Sequence, residues 1–518
     1  MATGADDARK WWIVGAVSLV FLPLIIDFYG IVVALPSIGR DLHGSTTSLA
    51  WTVNAFMLGM AGPLVAVGRL GDLFGRRRVM LAGLALFGAA SIACGLAQAE
   101  WQLVAARAVQ GVGSAMLFAL GLSIVSNAFP PQQRSVGIGI LGAVGGVGSA
   151  IGPLVGGFFT QALSWRWFFF VNVPVIAIAT VLTLAKVEES KDPTARRDVD
   201  LPGAIAVTAG FVLLVFGIQQ IQIAGWASLP VVGSLLAGTL LILAFVAFER
   251  RSQAPLVDLS LFRNADFLGP AAVAFLANYV FGASMFFVTL YLQFILGYDP
   301  VRTGLFFLMF SVPFVLVGAV SGKVDQRIGL RRALAAGMLW LALAFALLAL
   351  IEPASGPVLV LSGLLAAGVG QGLAYNLSTT AAMAPIPPAK AGVASGVLNT
   401  IRMVGLAVGV ALTGVLVRGL EYDRLTDLLS AAGATIGAAE RAEITGLLSG
   451  SPEAASALAR LAPAAEAAVE QIVRASYDHG FEAGMILCAG LALVGAAVAL
   501  IGRKPEPAPI ADQPSRAA

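Results

Sequence analysis

Fourteen apolar runs, most of them about twenty residues long, follow one another along this chain of 518 residues. A helix needs about 20 apolar residues to cross the hydrocarbon core of a bilayer. The runs lie near 12–36, 50–70, 79–98, 102–127, 136–160, 165–186, 202–222, 230–249, 268–293, 301–322, 332–351, 358–384, 391–416 and 482–502. They are continuous rather than alternating, which excludes a membrane β-barrel. Only 12% of residues are charged and 58% are hydrophobic, too few and too many for a soluble enzyme with one anchor. The expected fold is therefore an all-α integral membrane protein with fourteen transmembrane helices. The first run is too long for a signal-peptide core and contains Asp27, so it reads as a helix that stays attached.

Lys and Arg in short loops set the orientation. With the N-terminus placed in the cytoplasm, the cytoplasmic loops hold Arg76, Arg77 and Arg78, Arg134, Lys186, Lys191, Arg196 and Arg197, Arg250, Arg251 and Arg263, Lys323, Arg327, Arg331 and Arg332, and Lys390. The opposite loops hold Arg40, Arg166 and Arg302, apart from a longer Ala-rich piece at about 418–481. Both termini are expected inside, and that piece outside, where its charge spacing predicts short helices. It reads as a solvated spacer, with docking of an accessory envelope protein as the sharper alternative.

The chain repeats itself at an interval of about 255 residues. Gly68 to Arg78 (GRLGDLFGRRR) joins the second and third runs, and Gly322 to Arg332 (GKVDQRIGLRR) joins the tenth and eleventh. Pro130-Pro131 likewise answers Pro387-Pro388. The expected organisation is an N-terminal six-helix half over 1–200, two inserted helices over 201–250, and a C-terminal six-helix half over 251–518. Repeated halves with a substrate site between them are a common plan of secondary transporters.

A charge at the centre of a membrane helix costs about 2.5–3.5 kcal/mol on insertion scales, so it needs a reason. Asp27 in the first run and Arg107 in the fourth qualify. Asp27 reads as a carboxylate that takes up a proton or a cationic substrate, or as a structural acceptor between helices. Arg107 reads as shaping its environment, or as a guanidinium tying helix ends together. Arg402, about eleven residues into the thirteenth run, reads first as a side chain snorkelling to the inner surface. Together with Tyr29, Asn54, Gln110 and Asn278, the residues Asp27 and Arg402 make up the candidate substrate cavity. In the Gly68–Arg78 loop, Gly68, Gly71 and Gly75 permit a tight turn and close helix approach, with Arg69, Asp72, Arg76 and Arg77 completing a gating loop. Asp72 is expected to accept from neighbouring basic groups or to sit at a helix N-terminus. In the fifth run Gly148, Gly152, Pro153, Gly156 and Gly157 predict a close-packed, bent helix, a hinge on which two halves can rock.

These residues resemble the major facilitator superfamily, and within it the fourteen-spanner drug:proton antiporters. Gly68 to Arg78 resembles the superfamily's loop 2–3 signature. Arg107 with Gln110-Gly111-Val112-Gly113 resembles its helix 4 motif, which the resemblance links to proton coupling. Gly148 to Gly157 resembles the antiporter motif of helix 5. Trp165 to Pro174 (WRWFFFVNVP) resembles the start of helix 6 in the fourteen-spanner branch, and Asp27 with Ala34-Leu35-Pro36 its helix 1 motif. Tyr29 stands where that branch usually has Thr. The resemblance implies a major-facilitator-type fold, coupling through Asp27 and Arg107, and export of amphipathic drugs or dyes across the bacterial cytoplasmic membrane. A narrower cargo is the alternative: an amino acid, a siderophore, a lipid or a self-made antibiotic. A non-transporting membrane sensor is a further one.

Other classes find no footing. A net charge of +3 does not suggest nucleic acid. Cys94 and Cys488 both lie inside apolar runs, and His43 and His479 are the only histidines, so neither a disulfide framework nor a zinc site is expected. No glycine cluster follows a strand, so nucleotide binding is not supported. With no nucleophile–base pair and no metal set, an enzyme is not expected, nor a cofactor. The expected partners are a small-molecule substrate, protons and lipid.

Overall fold

The computed structural model describes residues 3–44, 46–130, 133–191, 201–251, 259–352, 356–386, 391–431 and 463–501. Its elements are α-helices: α1 Thr3–Leu42, α2 Thr46–Ala61, α3 Leu64–Phe74, α4 Arg76–Leu96, α5 Glu100–Ala128, α6 Arg134–Ala162, α7 Trp165–Phe170, α8 Asn172–Lys186, α9 Leu201–Ala224, α10 Leu229–Glu249, α11 Ala265–Leu290, α12 Pro300–Ile328, α13 Leu330–Ala349, α14 Pro357–Met383, α15 Ala391–Ala431 and α16 Pro463–Ile501. A short 3₁₀ turn, Leu259–Arg263, precedes α11, and a π turn, Tyr291–Ile295, ends it.

Among the described residues twelve helices are long and apolar enough to cross a membrane. Two more stretches, Leu49–Ala61 and Ile205–Ile221, are apolar but shorter. The second run is broken because Gly62-Pro63 interrupts it: proline lacks the amide that would continue the ladder, and the chain resumes as α3 and runs on to Phe74. The sixth run divides into α7 and α8 at Val171. Pro174 cannot donate to the carbonyl of Phe170, so the ladder lapses there.

Helices α1 to α8 pack on one another, as do α11 to α16, and α9 and α10 form a pair that touches α2 and α15. The two halves meet along α2 and α15, where Thr400 donates to the carbonyl of Ala61 at 3.1 Å, and along a seam between α6 and α12. Beside Gly157 lies the carbonyl of Pro300, beside Gly304 that of Pro153, and Gly146 faces Val315. Gln161 accepts from the amide of Val301 at 3.2 Å, and Gln293 donates to the carbonyl of Val33 at 2.8 Å. Gly142 and Gly139 continue the stripe of Gly146 by one and two turns, and Gly322 continues that of Val315. A Cβ on any of these three would meet open space. The seam is thus closed towards Pro300 and splayed towards Arg134 and Ile328.

Helix α15 is 41 residues long and α16 is 39. At 1.5 Å per residue each is about 60 Å, roughly twice the hydrocarbon thickness. Arg474 on α16 reaches the carbonyl of Ile295 at the end of α11. The two helices therefore rise past the closed end of the seam, taking in both ends of the 418–481 piece; its 432–462 stretch lies outside the described residues.

Candidate functional site

Helix α1 brings Asp27 against α5, which carries Arg107 and Gln110 one turn apart. Both charged side chains are fully buried. Arg107 Nη1 donates to Asp27 Oδ1 at 2.5 Å and to Gln110 Oε1 at 2.7 Å, and Gln110 Nε2 donates to Asp27 Oδ2 at 2.6 Å. Gln110 also donates to Ser91 Oγ at 2.9 Å, and Arg107 Nε donates to the carbonyl of Thr52 at 3.2 Å. The guanidinium lies over the ring of Phe56, 4.2 Å from its centroid. Both oxygens of Asp27 accept N–H bonds, an arrangement suited to an ionised carboxylate. Removing one member of a buried pair leaves the other uncompensated, at about 3–5 kcal/mol.

Next to this network, where the halves meet, is a narrow cleft, partly open to solvent. Its walls are mostly aromatic and thioether side chains: Phe28 and Tyr29 on α1, Met57 on α2, Met285 on α11, Phe310 on α12. Tyr29 packs on Phe281, whose ring stacks on Phe310 at 5.2 Å. Such rings suit flat apolar ligands.

Of the six residues assigned to the cavity from sequence, Tyr29 lines it. Asp27 and Gln110 sit behind the wall, turned into the Arg107 network. Asn278 donates to the carbonyl of Ala274 on its own helix at 2.8 Å. Asn54 is fully buried, and among the described residues neither end of its amide has a hydrogen-bond partner. Arg402 does not snorkel; it is 2% exposed and its guanidinium stacks 4.0 Å from the centroid of Tyr375. A short reach to neighbouring carbonyls and hydroxyls competes successfully with the longer one to water.

The glycines of α6 lie at contacts. A Cβ at Gly156 would collide with the carbonyl of Gly30, one at Gly152 would press on Tyr29, and one at Gly148 on Ile25. Gly157 and Pro153 face α12 instead. Helix α6 therefore touches both halves through backbone.

At the splayed end, Gly75 turns the chain between α3 and α4 with φ +108°, a region favouring glycine. Gly71 packs beside Leu120. The side chains of Arg69 and Asp72 and the surroundings of Gly68 lie outside what the structure describes; the backbone of all three is part of α3. Sequence reading missed Glu189. Its carboxylate accepts from the amides of Arg77 and Arg78 at 3.1 and 3.2 Å, capping the positive end of α4, and Arg76 donates its amide to the carbonyl of Ser190. Arg77 Nη2 donates to the carbonyl of Leu184 at 2.6 Å. At the opposite end Asp41 pairs with Arg166 and accepts from Trp165 Nε1 at 3.0 Å, fixing the WRWFFF segment to the end of α1.

The model of the Major Facilitator Superfamily matches residues 17–410. The multidrug resistance protein Stp of Mycobacterium tuberculosis is 36% identical over 401 residues, 77% of this chain and 74% of that protein. The tetracenomycin C resistance and export protein of Streptomyces glaucescens is 30% identical over 506 residues, 96% and 93% of the two chains. Among solved structures, an inward-facing bacterial homologue of the human lysosomal transporter Spinster shares the fold, with a TM-score of 0.60 at 15% identity over 96% of this chain and 99% of that one.

Proposed function

The chain belongs to the major facilitator superfamily, and we propose that it is a proton-coupled antiporter exporting amphipathic organic compounds such as drugs or dyes. The observation that carries this reading is the buried Asp27–Arg107–Gln110 network directly behind an aromatic cleft at the seam of the two halves. Relatives named for multidrug resistance and for resistance and export support the cargo class.

In this reading Asp27 carries the proton. Protonation removes the charge that holds Arg107, and Arg107 and Gln110 then re-form their bonds elsewhere. Asp27 is followed by Phe28, Tyr29 and Gly30, which form part of the cleft wall and the contact with Gly156. A change at the carboxylate thus reaches both cargo and hinge along three residues of α1. Burial disfavours a carboxylate's charged form and a guanidinium favours it, so a site whose surroundings alternate can load and release a proton. One pH unit supplies about 1.4 kcal/mol and 100 mV adds about 2.3 kcal/mol per net charge. One proton exchanged for one neutral molecule then has about 3.7 kcal/mol available, enough for a gradient of several hundred-fold.

The proposal includes the topology: fourteen spans, with 1–200 and 251–518 as the six-helix halves and 201–250 as the inserted pair. Residues 418–481 then face outward and both termini lie in the cytoplasm of a bacterial cell. The splayed, Arg-rich end of the α6–α12 seam is then cytoplasmic. The test is uphill uptake of a fluorescent dye into everted vesicles, whose lumen stands for the cell exterior, on imposing a proton gradient acid inside. Dye movement with no change in pH-driven accumulation over protein-free vesicles refutes the reading.

A further inference from the structure

The two halves of the molecule treat their buried arginines differently. Arg107 meets the carboxylate of Asp27. Arg402, on α15, is as deeply placed, yet among the described residues no carboxylate pairs with it. Nη2 donates to the carbonyl of Tyr375 at 2.7 Å, to Thr379 Oγ1 at 2.6 Å and to Ser378 Oγ at 3.1 Å. Nη1 makes one long bond, 3.4 Å, to Asn399 Oδ1. Nε is buried and, among the described residues, donates to nothing. Every partner among them is neutral, so the positive charge has hydrogen bonds and a ring face but no counter-charge there. A buried cation in this condition is costly unless an anion comes to it.

The surroundings say where the anion would come from. Leu406, one turn along α15 on the same face as Arg402, lines the cleft. The ring beneath the guanidinium, Tyr375, meets Phe314, which stacks on Phe310 of the cleft wall. Phe314 adjoins Val315, which faces Gly146 of α6 where the seam begins to splay. Arg402 therefore stands beside the cleft at the level where the seam opens. On the same side, the fully buried hydroxyl of Ser311 lines the cleft and has no hydrogen-bond partner among the described residues. A guanidinium is the preferred side chain for a planar oxyanion, because its N–H groups form a fixed fork.

We propose that Arg402 is the receptor for the negative group, carboxylate or phenolate, of aromatic organic anions that occupy the cleft. For transport this rests on the exporter reading, and it then fixes the charge moved: one proton inward against one monoanion outward carries two charges per cycle.

Binding separates the two ideas. The purified full chain, in nanodiscs of uncharged lipid, is titrated with 1-pyrenebutyrate and with its neutral amide, following pyrene fluorescence. The expected result is that the carboxylate binds about tenfold or more tightly than the amide, the worth of one charge-assisted hydrogen bond. Arg402→Gln should erase that preference while amide binding stays as in the parent. Equal affinity of the parent for both probes, or a preference surviving in Arg402→Gln, overturns the site. If Arg402→Gln loses both probes through misfolding, Arg402→Lys decides. A preference for the carboxylate retained but weakened supports the receptor, and one unchanged from the parent overturns it. Failure of dye export with anion preference intact would remove the exporter reading and leave the receptor standing.

Discussion

Gly156 of α6 and Gly30 of α1 meet backbone to backbone, so closely that a Cβ on the first would occupy the place of the carbonyl oxygen of the second. Gly30 is equally constrained, since its own Cβ would collide with Phe168 and the carbonyl of Gly152. No side chain cushions this contact. Asp27 lies one turn away on α1, so the proton site and this close helix crossing share one helical segment.

Replacing Gly156 by Leu should therefore force α1 and α6 apart, at about 1–3 kcal/mol for overpacking, and stop export. Gly156→Ala should give an intermediate rate. The check is dye export normalised to protein inserted in the membrane; a normal rate for Gly156→Leu removes this crossing from the moving parts.

Asp27→Asn keeps the size of the side chain and an oxygen for Arg107 to donate to, but it cannot ionise. Uphill export driven by a proton gradient should fall to background, while downhill equilibration of substrate continues. Proteoliposomes with each gradient imposed separately measure both. Accumulation against a gradient by Asp27→Asn assigns the proton to another group.

Glu189→Ala should free the first amides of α4. Loss of a helix-capping acceptor is worth about 0.5–2 kcal/mol. Hydrogen exchange at the amides of Arg77 and Arg78 should quicken by roughly two- to thirtyfold, with α4's later turns unchanged. Unaltered exchange would show that Glu189 is a bystander there.

The fourteen-span topology predicts that Ala227→Cys, between α9 and α10, is labelled by an impermeant maleimide in intact cells, and that Lys191→Cys is labelled only after lysis. Native Cys94 and Cys488 are buried, so the background is low. Protection of Ala227→Cys with labelling of Lys191→Cys in intact cells reverses the orientation, and equal access to both removes α9 as a span.

Much of this was legible in the sequence, for a physical reason. In lipid the energetic penalty on a charge is large, so Asp27 and Arg107 stand out in apolar runs whatever their neighbours are. That they touch each other, and that Gln110, Ser91 and the Thr52 carbonyl complete the network, depends on how α1, α2, α4 and α5 pack, which no run shows by itself. Arg402 illustrates the limit. A long basic side chain can carry its head towards water or bond to what lies beside it, and here the carbonyl of Tyr375 and the hydroxyls of Ser378 and Thr379, on a different helix, hold Arg402 inside. Glu189 was invisible because an acid in a polar loop is unremarkable until the chain folds it onto the start of α4. The breaks at Pro63 and before Pro174 were local, and proline chemistry accounts for them.

The long helices α15 and α16 have a practical consequence. Transporters of this build are nearly featureless to an electron microscope, because two similar halves sit within a lipid belt of similar density. Here, among the described residues, two helices of one half run on past the closed end of the seam. That extension breaks the likeness of the two halves and of the two ends, which gives particle images a direction.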